Sequence, residues 1–152
     1  KILLSENDNP RSYLDYPFVG VGVVVWKADK FLLIQRGKQP RLGQWSIPGG
    51  RQELGETVQE TAIREVLEET GLTVEVTDFL DVIDSIQKDE NGVIAYHATL
   101  IDYAAEWISG EAHAGSDAMD IAWHSLDELD DLGLWMETNR IIQESAELRN
   151  KR

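Results

Sequence analysis

Three glutamates in one short stretch, Glu65, Glu68 and Glu69, are the residues whose type and spacing could do chemistry. At about 100° per residue on a helix they share an arc of about 100°, so their carboxylates crowd together. Each pair at 4 Å repels by roughly 1 kcal/mol in water and about 4 kcal/mol at an effective dielectric of 20. A partly buried trio therefore needs a cation. Carboxylate oxygens suit the hard ions Mg²⁺ and Mn²⁺, which bridge readily to phosphates. Zinc is disfavoured, because the chain has no cysteine and no histidine lies near this stretch. By spacing alone the trio fits a solvated acidic helix face as well as a metal site.

The element that must carry the glutamates is a helix over 57–70, free of Gly and Pro, with apolar residues at 58, 62, 63, 66 and 67 and Gly71 as its stop. Ala62, Ile63, Val66 and Leu67 fall on the side away from the acids and are expected to pack. Upstream, 18–26 and 31–35 read as two strands of a hairpin around Lys27-Ala28-Asp29-Lys30, and 37–46 as a loop. Ile47-Pro48-Gly49-Gly50 predicts a tight turn. Downstream, 74–86 and 93–107 form a second hairpin around Asn91-Gly92. A loop over 110–118, a short strand near 121–124, a helical turn at 126–132 and a closing helix over 134–148 complete the order. The fold class is mixed α/β, with residues 1–17 as an N-terminal arm and 18–150 as one domain.

Composition narrows the partners. The 152 residues carry 14 Lys plus Arg against 28 Asp plus Glu, a net charge of -14 that repels nucleic-acid polymers and anionic membranes. With 42% hydrophobic residues the chain has apolar material for a core, which excludes disorder as the cause of its acidity. The longest apolar run, Phe18 to Trp26, is far below the ~20 residues of a membrane span, and no signal sequence is expected at the N-terminus. The absence of cysteine fits a cytoplasmic protein. Between Lys30 and Gln52, however, stand five bases (Lys30, Arg36, Lys38, Arg41, Arg51) and no acid, next to the acid-rich stretch that holds the glutamates. Such a junction suits either ordinary surface or a site that handles an anion with bases and metal together.

The segment GRQELGETVQETAIREVLEETGL, Gly50 to Leu72, decides among these readings. It resembles at every fixed position the signature of the Nudix hydrolases, G-x5-E-x7-R-E-U-x-E-E-x-G-U with U aliphatic, a match expected by chance in roughly 1 of 10⁹ start positions. The resemblance implies an α/β/α sandwich with a mixed sheet and a loop-helix-loop that holds Mg²⁺ or Mn²⁺. It implies hydrolysis of the P–O–P bridge of a nucleoside diphosphate derivative, a small-molecule nucleotide, by activated water. Carried over by position, Glu65, Glu68 and Glu69 become metal ligands with the Gly50 carbonyl, and Glu56 and Arg64 the charge pair that ties loop to helix. The family's base is either a box glutamate, here Glu68, or an acid on a later loop, here Asp117 first, then Asp120 and Glu111. Many members are dimers, so a homodimer is allowed.

Trp45 to Glu56 resembles the ADP-ribose pyrophosphatase and general nucleotide-hydrolase branch, and Arg36 and Arg51 are candidates to hold phosphate through their forked donors. Phe18, Tyr96, Trp107 and Trp135 are candidates to stack on a base, whereas His97 reads as structural. No proline follows Pro48, whereas members strict for ADP-ribose often carry one about fifteen residues past the box. Three activities follow: hydrolysis of ADP-ribose or a similar NDP-sugar, a MutT-type hydrolysis of (d)NTPs to monophosphate and pyrophosphate, or nucleotide sensing without turnover.

Overall fold

In a computed structural model, which describes residues 11–38, 41–115 and 117–152, the five expected strands and two helices follow the expected order, and two further short strands form at 45–46 and 49–51, where a loop and a turn were expected. Residues 1–10 of the arm, and Gln39, Pro40 and Ser116 of two loops, lie outside the described residues. Strands β1 (Phe18–Lys27) and β2 (Lys30–Arg36) form the first hairpin, followed by β3 (Trp45–Ser46), β4 (Gly49–Arg51) and α1 (Val58–Thr70). Then come the long hairpin of β5 (Thr73–Lys88) and β6 (Ile94–Ser109), strand β7 (Ala118–Ser125), a 3-10 turn at Leu126–Asp131, and α2 (Met136–Asn150). The sheet runs β3-β2-β1-β6-β5, with β4 on β1 and β7 on β2. It is mixed, because β1 and β6 are parallel while their other neighbours are antiparallel.

Strand β1 is central and is buried on both faces, which explains its nearly unbroken apolar run. Val21, Val23 and Val25 pack with Leu32, Ala62, Val66 and Leu72 beneath α1. Val24 and Trp26 pack with Phe31, Leu33, Ile141 and Ile142 beneath α2. The α/β/α sandwich therefore rests on side-chain alternation along one strand. A buried hydrogen bond from Trp26 Nε1 to Ser145 Oγ, 2.9 Å, ties β1 to α2.

The first hairpin is paired only at its tip, Trp26 with Phe31 and Lys27 with Lys30. Beyond it the strands part. β1 takes β4 as its antiparallel neighbour and β2 takes β3 and β7. That opening is where the cleft described below lies.

Two local expectations are corrected. Gly49 and Gly50 are not in a tight turn but in the extended strand β4, and their need for glycine is steric. A Cβ on Gly49 would sit 2.0 Å from the Val21 carbonyl oxygen, and one on Gly50 would sit 2.3 Å from Glu65 Cδ. On α1 the packed residues are Thr61, Ala62, Val66 and Thr70, while Ile63 and Leu67 are exposed. The helix is thus rotated so that Glu65 and Glu69 face β4 and only Glu68 of the trio is exposed.

Candidate active site

Helix α1 starts where a capping box sets it. The Thr57 hydroxyl accepts from Glu60 N at 3.1 Å, and Glu60 Oε1 accepts from Thr57 N at 3.0 Å. It ends at Gly71, whose φ of 77° is the left-handed conformation that glycine reaches without strain. Local chemistry at both ends therefore fixes which turn holds the glutamates.

Arg64 gathers the loop and helix. Its Nε and Nη2 grip the Glu56 carboxylate in a fork, at 2.6 and 2.9 Å. Nη2 also donates to the Arg51 carbonyl at 3.1 Å, and Nη1 reaches Glu65 Oε1 at 2.8 Å and Glu68 Oε2 at 3.1 Å. With its side chain 22% exposed, Arg64 is a partly buried hub of four acids, Glu53 at 3.7 Å being the fourth, rather than a lone surface i,i+4 pair. Glu56 further accepts from Glu53 N and Thr61 Oγ1. The Arg64 and backbone donors hold its carboxyl down at about 2.

Glu69 has the opposite environment. Desolvation, then the neighbouring Glu65 charge, pushes its carboxyl up to about 8, against one opposing donor, Gly49 N at 3.3 Å. Burial also raises Glu65, although Arg64 opposes the shift. Among the described residues no three acids or histidines are drawn together into a ready-made ion cage, and Arg64 Nη1 lies on one oxygen each of Glu65 and Glu68. The donor set nevertheless fits a hard divalent cation. Two partly buried carboxylates of α1, Glu65 and Glu69, face the Gly49-Gly50 stretch of β4, and the space that a Gly50 Cβ would fill is taken by the Glu65 carboxylate.

The loop after β6 is clamped onto the end of α1. His113 N and Gly115 N donate to the Thr70 and Glu69 carbonyls at 3.0 and 2.8 Å, using acceptors that the helix terminus leaves open. Gly37 N donates to the Asp117 carbonyl at 3.0 Å, and Lys38 Nζ lies 2.6 Å from Asp117 Oδ1. Asp117 is thereby carried to the acidic cleft. Asp120, exposed on β7, instead accepts from the Ile121 amide, and neither it nor Glu111 lines the cleft.

Two adjoining cavities share Arg11, Ile34, Arg36, Gly49, Gly50 and Glu69. The acidic one, about 300 Å³, adds Lys38, Glu65, Glu68 and Asp117. The other, about 190 Å³, runs beneath the parted hairpin and adds Phe18, Tyr96, Asp102, Trp135 and Thr138 among its walls. Arg36 is half-buried between them, and burial followed by the nearby Arg41 charge lowers its pKa. Three guanidinium groups, those of Arg11, Arg36 and Arg41, thus line one opening of a protein whose net charge is -14.

Of the sequence candidates, the structure brings Arg36, Gly50, Glu65, Glu68, Glu69 and Asp117 to one cleft. It sets Glu56 and Arg64 behind them as support. Arg51 lies with its guanidinium 5.4 Å from the Phe18 ring and lines neither cavity. Trp107 lies elsewhere, under Lys27 Nζ at 4.1 Å, and His97 lines neither cavity. Arg11, Arg41 and Asp102 were not singled out as site residues from sequence. Arg41 belonged to the basic run, but Arg11 and Asp102 carried no local signal.

A family profile described as the NUDIX domain matches residues 17–144. An ADP-ribose pyrophosphatase of Methanocaldococcus jannaschii is 36% identical over 140 residues, 92% of this chain and 79% of the relative. An oxidized purine nucleoside triphosphate hydrolase of Danio rerio is 33% identical over 116 residues, 74% of this chain and 69% of the relative. The crystal structure of a MutT NUDIX hydrolase from Burkholderia pseudomallei superposes with a TM-score of 0.74 at 30% identity, covering 86% of this chain and 98% of the other.

Proposed function

The chain belongs to the Nudix hydrolase family, and we propose that it cleaves the pyrophosphate bridge of a nucleoside diphosphate derivative, ADP-ribose or a similar NDP-sugar, with Mg²⁺ or Mn²⁺. The observation that carries this reading is the junction of the two cavities at Arg36, Gly49, Gly50 and Glu69. One cavity offers aromatic and polar walls for a nucleoside, the other carboxylates and bases for phosphates.

Glu65, Glu68, Glu69 and the Gly50 carbonyl would hold the metal, and Arg64 with Glu56 positions them. A divalent cation supplies neutralisation of the two phosphates and a lowered pKa for water. Arg36 offers its forked donors to a phosphate oxygen at the junction. Asp117, at the cleft rim, takes the proton as water oxygen bonds to one phosphorus and the bridging oxygen leaves with the other phosphate. Lys38 holds Asp117 at that rim. Glu68 is the rival base, and a larger loss in Glu68→Gln than in Asp117→Asn transfers the role to it.

The Danio rerio relative supports a second reading, hydrolysis of a purine (d)NTP. Incubation with ADP-ribose and with dNTPs, followed by identification of the phosphate products, separates the two. AMP plus ribose 5-phosphate supports the first, and pyrophosphate from a dNTP supports the second. Nucleotide binding without turnover in Mg²⁺ or Mn²⁺ would favour a sensor and overturn both. Metal roles are tested by Glu68→Gln and Glu69→Gln. Activity within about tenfold of wild type, ~1.4 kcal/mol in barrier, refutes the assignment.

A further inference from the structure

Asp102 is a carboxylate where the fold gains nothing from having one. It stands on β6, 6% exposed, on the sheet face that α2 covers, among Val24, Leu100 and Ala104 in the strand pattern. Its neighbour across the parallel ladder is Gly22, and a Cβ there would lie 2.4 Å from Asp102 Oδ1. The carboxylate thus occupies room that only glycine leaves, and the Gly22 backbone beside it slightly opposes the rise in its pKa. Arg140, the cation whose charge acts on Asp102, is engaged instead by Asp81 at 2.8 Å, Glu137 at 2.8 Å and Glu144 at 3.4 Å. Among the described residues Asp102 forms no salt bridge. Burial, then the charge of Asp81 on β5, raises its carboxyl to about 7, with Glu137 on α2 adding to the rise and Arg140 opposing it. A buried acid without a cationic partner costs stability unless something else satisfies it.

What Asp102 lines is the smaller cavity, whose walls include Trp135 and Thr138, and it does not line the acidic cleft. We propose that Asp102 reads the nucleobase, accepting hydrogen bonds from the N–H donors of a base held in that cavity beside Trp135. This inference rests on the nucleotide reading above and assigns its recognition residue. A carboxylate presents acceptors side by side, so it suits most a base edge with adjacent N–H donors, as on guanine, and also accepts the single amino group of adenine. Phosphate and sugar would then extend toward Arg36 and Glu69, which border the same cavity.

The test is Asp102→Asn in the full chain, with binding of GMP, AMP and ribose 5-phosphate measured by calorimetry. The amide keeps the shape and removes the buried charge, so the variant folds. It exchanges one acceptor for a donor, which opposes the guanine edge and matches the adenine edge. The ratio of Kd for GMP to Kd for AMP should rise about tenfold, while ribose 5-phosphate binds both proteins alike. A ratio unchanged within twofold overturns the proposal, whether both affinities fall together or neither does. So does a wild-type protein that binds neither nucleotide. Turnover of ADP-ribose and dNTPs is followed in parallel. A switched binding ratio without hydrolysis sinks the substrate reading and leaves the role of Asp102 standing.

Discussion

Gly50→Ala isolates the geometry on which the acidic cleft depends. The added Cβ would lie 2.3 Å from Glu65 Cδ and 2.5 Å from each carboxylate oxygen. Carbon atoms prefer about 3.5 Å, so the carboxyl group must retreat by about 1.2 Å or push β4 away from α1. Glu65 is also the acceptor for Arg64 Nη1 at 2.8 Å, so its retreat disturbs the hub that holds Glu68. A displacement near 1 Å at a reacting centre costs about 10²-fold in rate, ~2.7 kcal/mol in barrier. Overpacking itself costs the fold about 1–3 kcal/mol. The assay is metal-dependent pyrophosphate cleavage beside thermal unfolding, with Gly55→Ala as control. Gly55 has a φ of 90° and nothing within 4 Å of its Cβ position, so its substitution costs ~1 kcal/mol of stability and no activity. If Gly50→Ala keeps activity within threefold of wild type at a temperature where both are folded, the proposed placement of Glu65 is wrong.

Glu56→Gln should lower Tm at pH 6 and progressively less toward acid. The Glu56 carboxyl is depressed to about 2 from an ordinary 4.5, so its stabilisation is complete above pH 4.5 and is lost as pH falls toward 2. A Tm gap between wild type and variant that stays constant from pH 6 to pH 3 contradicts this. Asp102→Asn should do the reverse. The wild-type carboxyl is raised to about 7 from 3.8, so its ionisation penalises the fold increasingly from pH 4 to pH 7, and the variant gains Tm over wild type across that window. A flat difference refutes the buried charge. Ser145→Ala removes the acceptor of the Trp26 indole N–H in the core and should cost about 1–3 kcal/mol in denaturant unfolding, with turnover unchanged.

What could be read in advance was what is local along the chain. The stop at Gly71, the Lys27–Lys30 turn and the Asn91-Gly92 turn act within a few residues, and the helix end and both hairpins formed where they pointed, whereas the Thr57 cap was not singled out. Gly49 and Gly50 were misread because their requirement comes from Val21 and Glu65, which approach from other elements. Exposed Ile63 and Leu67 were misread for a related reason: apolar spacing marks a stripe, but strand β4 decides which edge of it turns inward. The parallel pairing of β1 with β6 joins residues about 80 apart and has no local sign. Asp102 and Arg11 share that blindness, since only the folded sheet brings them to the same cavity as Glu69.

The parting of β1 from β2 has an evolutionary consequence. It divides one crevice between two walls, with the carboxylates proposed to face phosphate borne by α1 and β4 and the other wall by β6 and the start of α2. Changes at Leu100, Asp102 or Thr138 would recut that second wall while leaving the glutamates of α1 untouched. A lineage built this way can change what it recognises without relearning how to cut.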